Sequence, residues 1–328
     1  MEKFKRIISH IILDYMIVIF ALLPKSIRHS FRFLFEKLHQ AFRDSDCYFA
    51  TVTEQKVGED RFKLWITRRH YKAYKTYTEL EQQKTVYEEI MMECMKRILD
   101  ALDFPVVLDL GAFMGYYALY CARHCKDIKK HAKVYAFESN PVYVDTILRS
   151  ITDNDFDNVK AYSAVLSDVE EELFVCKEMV TKNDIGGKCI RAETLDSICE
   201  KDSIKPNIMK LDVHGAEGKV LAGAKVVLRN SINVVLFELH PDGFLEKYSP
   251  GYTRTSILEG LKACGFALYL VGGFRYKRAL ERDRFYKTGK ISYVEITENN
   301  RDLIFFDRHV DMFIIGTREF DIKTLPCF

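Results

Sequence analysis

The sequence predicts a doubly wound α/β protein, a mostly parallel sheet of seven strands carrying a helical appendage at its N-terminus, on three observations. The apolar run Val106-Val107-Leu108 stops at Asp109 and opens through Leu110-Gly111-Ala112-Phe113-Met114-Gly115 into a helical-looking stretch, Tyr116 to Lys126. That is a buried parallel strand, a tight turn and a helix. A second run, Lys133-Val134-Tyr135-Ala136-Phe137-Glu138, again ends in an acid. Beyond it, strand-like and helix-like segments alternate as far as Thr317, the pattern of a doubly wound sheet. Ligands of such sheets sit beyond the carboxyl ends of the strands, where these acids and glycines fall.

A chain of 328 residues, 48% hydrophobic and 29% charged, has room for one large α/β domain plus an appendage and is not a disordered polymer. The net charge of +2 hides an asymmetry. Residues 1–43 hold Lys3, Lys5, Arg6, Lys25, Arg28, Arg32, Lys37 and Arg43 against Glu2, Asp14 and Glu36, which leaves the remainder mildly acidic. The nine cysteines are odd in number and scattered, as expected of reduced thiols in a cytoplasmic, reducing compartment. Cys121, His124 and Cys125 lie close on one helix, but no second half-site follows, so zinc is not expected there.

Taken in order, residues 1–45 form the basic, apolar appendage. Ile7 to Leu23 is short for a membrane span and carries Asp14. Ile27, Phe31, Leu34, Phe35, Leu38 and Phe42 then repeat at helical spacing opposite Arg28, Arg32 and Lys37. Two such helices lie on an anionic membrane surface, or cap the main domain or a partner subunit; peripheral or anchored attachment is the working expectation.

Residues 46–78 read as a hairpin around Val57-Gly58-Glu59-Asp60 and a basic-aromatic connector from Arg68 to Tyr77, whose bland role is a solvated helix face. Glu79 to Leu102 reads as one long helix. The main domain, 79–328, continues with a helix over 141–150, a third strand over 158–166 and a hairpin extension at 171–176. It closes with strands at 207–212 and 232–239, helices at 216–229 and 255–264, and last strands at 267–271 and 312–317. Between those last two lies a long insertion, 273–311, rich in Arg275, Lys277, Arg278, Arg282, Arg284 and Lys287, expected to act as a lid.

The glycine spacing chooses the ligand. A dinucleotide site needs G-x-G-x-x-G for its pyrophosphate, and here Asp109-x-Gly111-x-x-x-Gly115 lacks the middle glycine. An adenosyl ligand without phosphate, such as S-adenosyl-L-methionine, needs close approach at Gly111 and acids for its hydroxyls and ammonium. By position, Asp109, Gly111 and Gly115 surround the methionine part, Glu138 the ribose, and Ser139, Asn140, Ser163 and Ala164 the adenine, with Ala112 and Asp212 as further cofactor contacts.

The motifs Asp109-Leu110-Gly111-Ala112-x-x-Gly115-Tyr116-Tyr117, Phe137-Glu138-x-Asn140-Pro141, Leu166-Ser167-Asp168, Thr194-Leu195-Asp196, Lys210-Leu211-Asp212-Val213-x-Gly215-x-Glu217 and Glu238-Leu239-His240 together resemble FkbM-type S-adenosylmethionine-dependent methyltransferases over about residues 85–318. The resemblance implies a class I, Rossmann-like methyltransferase fold, usually methylating hydroxyls of sugars or polyketide-like alcohols. One departure stands out. The family commonly has Asp-Val-Glu-Gly where this chain has Asp212-Val213-His214-Gly215.

Oxygen methylation needs a base for the acceptor hydroxyl. His240 is the expected base, oriented by Asp212 or Glu238, with His214 as acceptor binder or alternative base. Asp212 and Glu238 are alternatively oxygen ligands for magnesium, although no dedicated metal site is expected. Glu217, in a first helical turn, bonds backbone or substrate, or starts its helix. The expected activity is O-methylation of a glycan, glycolipid or related alcohol. The alternatives are RNA 2′-O-methylation, for which no lysine-acid-lysine-glutamate relay is evident, and a non-catalytic cofactor-binding scaffold at a membrane.

Overall fold

The apolar runs of the sequence assemble around one large sheet in the computed structural model, which describes residues 50–67, 70–176, 179–181, 188–274, 278–300 and 311–318. The expected N-terminal helices, Arg68 and Arg69 lie outside the described residues. By packing, the chain divides into two units, Met1–Thr51 with Ile66–Thr76, and Val52–Trp65 with Tyr77–Phe328; the site lies wholly in the second. Of the first unit, the described part is two strand ends and the start of a helix, on which Lys72 and Lys75 are exposed.

Strands β1 (Ala50–Val57) and β2 (Asp60–Thr67) form the expected hairpin, turning at Gly58 with φ +61°. The single helix expected over 79–102 is instead two, α1 (Tyr71–Gln83) and α2 (Glu89–Ala101). Lys84 and Glu88 take left-handed backbone at φ +54° and +48° on either side of the break. Thr85-Val86-Tyr87 between them is β-branched and aromatic, poor material for a helix. The ring of Tyr87 packs edge-on against Tyr116 at 5.7 Å, which fixes the break.

Next come β3 (Val106–Leu110), α3 (Tyr116–Asp127), β4 (Lys133–Glu138) and α4 (Pro141–Asp153), as expected. The third strand divides. Strand β5 (Val159–Ser163) joins the main sheet, whereas β6 (Val165–Leu166) leaves it for a four-stranded sheet with β7 (Glu171–Cys176), β8 (Met179–Thr181) and β9 (Lys188–Glu193). The division falls at Ala164, whose amide donates to the Glu138 carbonyl at 3.0 Å and ends the ladder with β4.

The chain returns through α5 (Leu195–Lys201) and β10 (Ile208–Leu211). The helix expected over 216–229 is interrupted, as α6 (Glu217–Ala222) and α7 (Lys225–Asn230). At the break, a Cβ on Gly223 would collide with the Ser167 carbonyl, and the Asp196 carboxylate accepts from Val226 N and Val227 N at 2.8 and 2.9 Å, capping the new helix. Then follow β11 (Val234–Leu239), α8 (Asp242–Tyr248), α9 (Arg254–Ala263), β12 (Ala267–Phe274), α10 (Arg278–Thr288), β13 (Tyr293–Glu295) and β14 (Met312–Thr317).

The sheet order is β13-β12-β14-β11-β10-β3-β4-β5, with β14 antiparallel to both neighbours and β5, β4, β3, β10 and β11 mutually parallel. Eight strands stand where seven were expected, because the insertion supplies β13, which pairs with β12 at the sheet edge. The chain reverses its direction of winding between β3 and β10, and the carboxyl ends of β3, β4, β10 and β11 converge there. Leu108, Leu110, Phe137, Met209, Phe237 and Ile314 are buried within the core. No helix among the described residues is long and apolar enough to cross a membrane.

Candidate active site

The loop after β3 exists in its tight form because of one glycine. Gly111 has φ +77°, and a Cβ there would drive into the carbonyl oxygen of Asp212. Its amide and that of Ala112 donate to the Phe137 carbonyl at 3.0 and 2.9 Å, which stitches the loop to β4. Phe113, at φ +52°, turns its amide onto Glu138 Oε2 at 2.8 Å. Gly115, at φ +87°, opens α3.

Beneath this loop sits a buried ion pair. Asp109 Oδ2 accepts from Ala118 N at 3.1 Å, and Oδ1 lies 3.3 Å from Lys210 Nζ. Both carboxylate oxygens are thus engaged within the protein, so Asp109 orders the loop that was expected to hold the methionine part. Burial pushes its carboxyl upward from the usual range, against the pull of Lys210. Burial acts to lower the Lys210 ammonium, but the carboxylates of Asp109, Asp212 and Glu88 more than reverse this and hold it charged. Lys210 donates to Gly111 O at 3.4 Å, lies 3.7 Å from Asp212 Oδ2 and sits over the Tyr117 ring at 5.1 Å. Sequence reasoning missed this residue; its signal was a lone cation inside the apolar run of β10.

Glu138 ends β4 buried, with Oε1 accepting from Asn140 N at 2.8 Å and from Ser139 Oγ at 3.3 Å. Burial raises its carboxyl to about 7, although the amides of Asn140 and Phe113 hold it down in part. Asn140 also caps α4, its Oδ1 accepting from Val142 N at 3.0 Å. Ser163 is exposed in register with Glu138, and Ala164 is buried beside it. The glycine turn and these residues therefore share one strand-end edge, as expected.

On the neighbouring edge, β10 and β11 bring together Asp212, His214, Glu217 and His240. Glu217 is fully buried, and its Oε1 accepts from Gly215 N at 3.1 Å and from His240 Nδ1 at 2.9 Å. A carboxylate only accepts, which puts the imidazole proton on Nδ1 and leaves Nε2 with its lone pair. The orienting partner expected for His240 was Asp212 or Glu238; the structure puts Glu217 there instead, because α6 begins one turn above the end of β10 and aims its first side chain inward. Burial pulls the His240 imidazole down, but the bond to Glu217 outweighs it and the group titrates above its ordinary value.

Arg254 Nε fixes the His240 carbonyl at 2.9 Å, and Phe244 stacks on the imidazole at 5.7 Å. His214 is held at φ +51° before Gly215, its side chain 78% exposed; its ring lies 5.3 Å from that of His240 and its Nδ1 3.8 Å from Asp212 Oδ1. Glu238 is buried within β11. The helical trio Cys121, His124 and Cys125 is not a metal centre: both ring nitrogens of His124 bond carboxylates, Asp60 Oδ2 at 2.7 Å and Asp100 Oδ1 at 2.8 Å.

A doubly wound sheet with its final strand inserted antiparallel between the fifth and sixth, a glycine turn after the first and acids at the first, second and fourth strand ends has the class I methyltransferase fold. Within it, residues 109–268 match the family model of the methyltransferase FkbM domain. The hexuronic acid methyltransferase AglP of Haloferax volcanii is 28% identical over 148 residues, covering 43% of this chain and 58% of that protein. Among solved structures, the methyltransferase FkbM of Methylobacillus flagellatus gives a TM-score of 0.39 at 14% identity, covering 65% of this chain and 44% of that one. A SAM-dependent methyltransferase from Agrobacterium tumefaciens gives 0.42 at 12% identity, covering 81% and 70%. The chain thus spans little more than half the length of its curated relative.

Proposed function

We propose that the protein is an S-adenosylmethionine-dependent O-methyltransferase acting on a hydroxyl of a glycan, glycolipid or related alcohol. The observation that carries this is the Glu217–His240 pair: a buried carboxylate fixing one imidazole nitrogen and leaving the other as a base beside Asp212. The adenosyl site fits the residues present. It offers the carboxylates of Glu138 and Asp212, above a loop that Asp109 and Lys210 order from beneath, a set that favours a sulfonium and an ammonium over a pyrophosphate. When bound, S-adenosylmethionine supplies an electrophilic methyl on a cationic sulfur.

The protein's own residues do the rest. Gly111 allows close approach, Glu138 receives ribose hydroxyls on its remaining lone pairs, and His240 Nε2 takes the acceptor's proton as its oxygen attacks. Glu217 stabilises the resulting imidazolium. The relative named for a hexuronic acid supports a carbohydrate acceptor. The insertion between β12 and β14 is assigned the role of a lid over it.

Isothermal titration should detect S-adenosylmethionine but neither NAD nor ATP, and with uronic-acid glycans as acceptors S-adenosylmethionine should be converted to S-adenosylhomocysteine as the glycan gains a methyl. His240→Ala should lower turnover by roughly 10²–10⁴-fold with cofactor affinity retained; undiminished turnover would remove His240 from the mechanism. The basic appendage of residues 1–43 is assigned to an anionic membrane surface. The full chain should then sediment with anionic but not zwitterionic vesicles, and be released by high salt.

A further inference from the structure

We infer that Asp212, His214 and His240 form a binding site for a divalent first-row transition-metal ion, occupied in alternation with proton transfer at His240. Their ligand atoms, one from each residue, lie within 4.8 Å of one another, the one such grouping among the described residues. Two imidazoles and one carboxylate with open positions match the 2-His-1-carboxylate arrangement, and two nitrogen donors in three select against magnesium and calcium. The set differs from the magnesium pair considered from the sequence, Asp212 with Glu238, in that both histidines take part.

Three features beyond proximity point to an ion. The first lies behind the cluster. A metal-bound histidine characteristically gives its second ring nitrogen to a carboxylate, which sets the tautomer and raises the basicity of the ligating nitrogen. His240 has this arrangement: Nδ1 faces the fully buried Glu217 at 2.9 Å, leaving Nε2 as donor. The second is the backbone of His214, whose φ of +51° is uncommon for a residue other than glycine. Followed by Gly215 at φ +98°, it folds the chain after β10 back over Asp212, bringing His214 Nδ1 to 3.8 Å from Oδ1.

The third is freedom to close. Metal–nitrogen and metal–oxygen bonds of about 2.0–2.2 Å need ligand atoms roughly 3–3.5 Å apart, so the set must contract by about 1 Å. His240 is locked in place, whereas the 78% exposed side chain of His214 has room to swing inward. Glutamate is common at the His214 position in the resembling family, so the site is a property of this chain's own departure. Since base and ligand are the same Nε2, the two uses of His240 exclude each other.

The test is Co²⁺ titration of the full chain without cofactor or acceptor, followed by visible absorption and calorimetry, so that it succeeds or fails separately from methyl transfer. One Co²⁺ per chain should bind, with ligand-field bands and no thiolate charge-transfer band. His214→Ala, at an exposed position that leaves the fold intact by circular dichroism, should weaken binding by roughly 100-fold or more. Glu217→Gln, which touches no ion, should weaken it about 10–100-fold. His214→Glu should move preference from Co²⁺ towards Mn²⁺ and Mg²⁺, whose ligands are oxygens. No bound Co²⁺, binding through thiolate, or binding of equal strength in His214→Ala would overturn the site.

Discussion

At the scale of single residues, the site is governed by what burial does to charge. Glu217 is fully buried, and the bonds its Oε1 accepts from Gly215 N and His240 Nδ1 offset the cost of burying a polar group. That makes Glu217→Gln a sharper probe than removal of the histidine. The amide keeps the size and one acceptor oxygen, but it cannot stabilise an imidazolium forming on His240. Turnover should fall by roughly 10²-fold or more, with cofactor affinity and acceptor KM little changed. A steady-state comparison checks this, and a change confined to KM would assign Glu217 to acceptor binding instead.

The same residues show what a sequence does and does not disclose. Asp109, Gly111, Glu138, Asp212 and His240 stand at strand ends, and strand ends can be read from apolar runs. Glu217 looks like an ordinary acid of a first helical turn, since its partner lies 23 positions away, and nothing local announces the pairing. Lys210 was hidden for the opposite reason: a strand that is otherwise apolar made its one cation look like noise.

At the scale of elements, the sheet order follows from pattern, while the helix boundaries depend on tertiary partners. The break between α1 and α2 needs Tyr116, and the restart of α7 needs Asp196, both far away in sequence. A third long-range tie joins β2, α2 and α3. His124, buried on α3, lies between Asp60 of β2 and Asp100 at the end of α2. Two carboxylates facing two ring nitrogens require both to carry protons, so the ring is an imidazolium.

Burial opposes that charge, but the bonds to Asp60 and Asp100 exceed it and the folded pKa lies above the ordinary value. With the folded pKa above the unfolded value of about 6.5, the clamp's contribution is complete below that pH and is lost as pH rises through the folded pKa. His124→Gln, which satisfies at most one side, should cost about 3 kcal/mol at pH 6. Urea unfolding of the two proteins should show their difference shrinking as pH is raised; a constant difference would mean the histidine is neutral in the fold.

At the scale of the molecule, the insertion is where sequence and structure part most. Read as a long loop, it contains α10 and the edge strand β13, and it is fastened rather than draped. Gly272 N donates to Ser292 O at 2.8 Å, Ile296 N to Leu268 O at 2.7 Å, and Ile291 and Ile296 are buried. Tyr286 reaches Glu89 Oε1 at 3.0 Å. The insertion's helix and strand escape the sequence because periodicity over so polar a segment is weak evidence for either.

The anchoring changes how a lid should be tested. Excising 278–300 would strip β13 from β12 and expose the sheet edge, so lost activity would report damage as readily as function. Charge reversal on α10 avoids this, because Arg284 and Lys287 are exposed and their backbone is helical. Strand β12 runs in the same sense as β11, so the chain leaves it at the edge where His240 lies, and α10 follows directly. An acceptor bearing a uronic carboxylate would meet positive charge there. Lys287→Glu combined with Arg284→Glu should raise the KM for an acidic glycan roughly tenfold, about 1.4 kcal/mol, while leaving the KM of a neutral glycan and the affinity for S-adenosylmethionine unchanged. Equal effects on acidic and neutral acceptors would place α10 outside the acceptor's path.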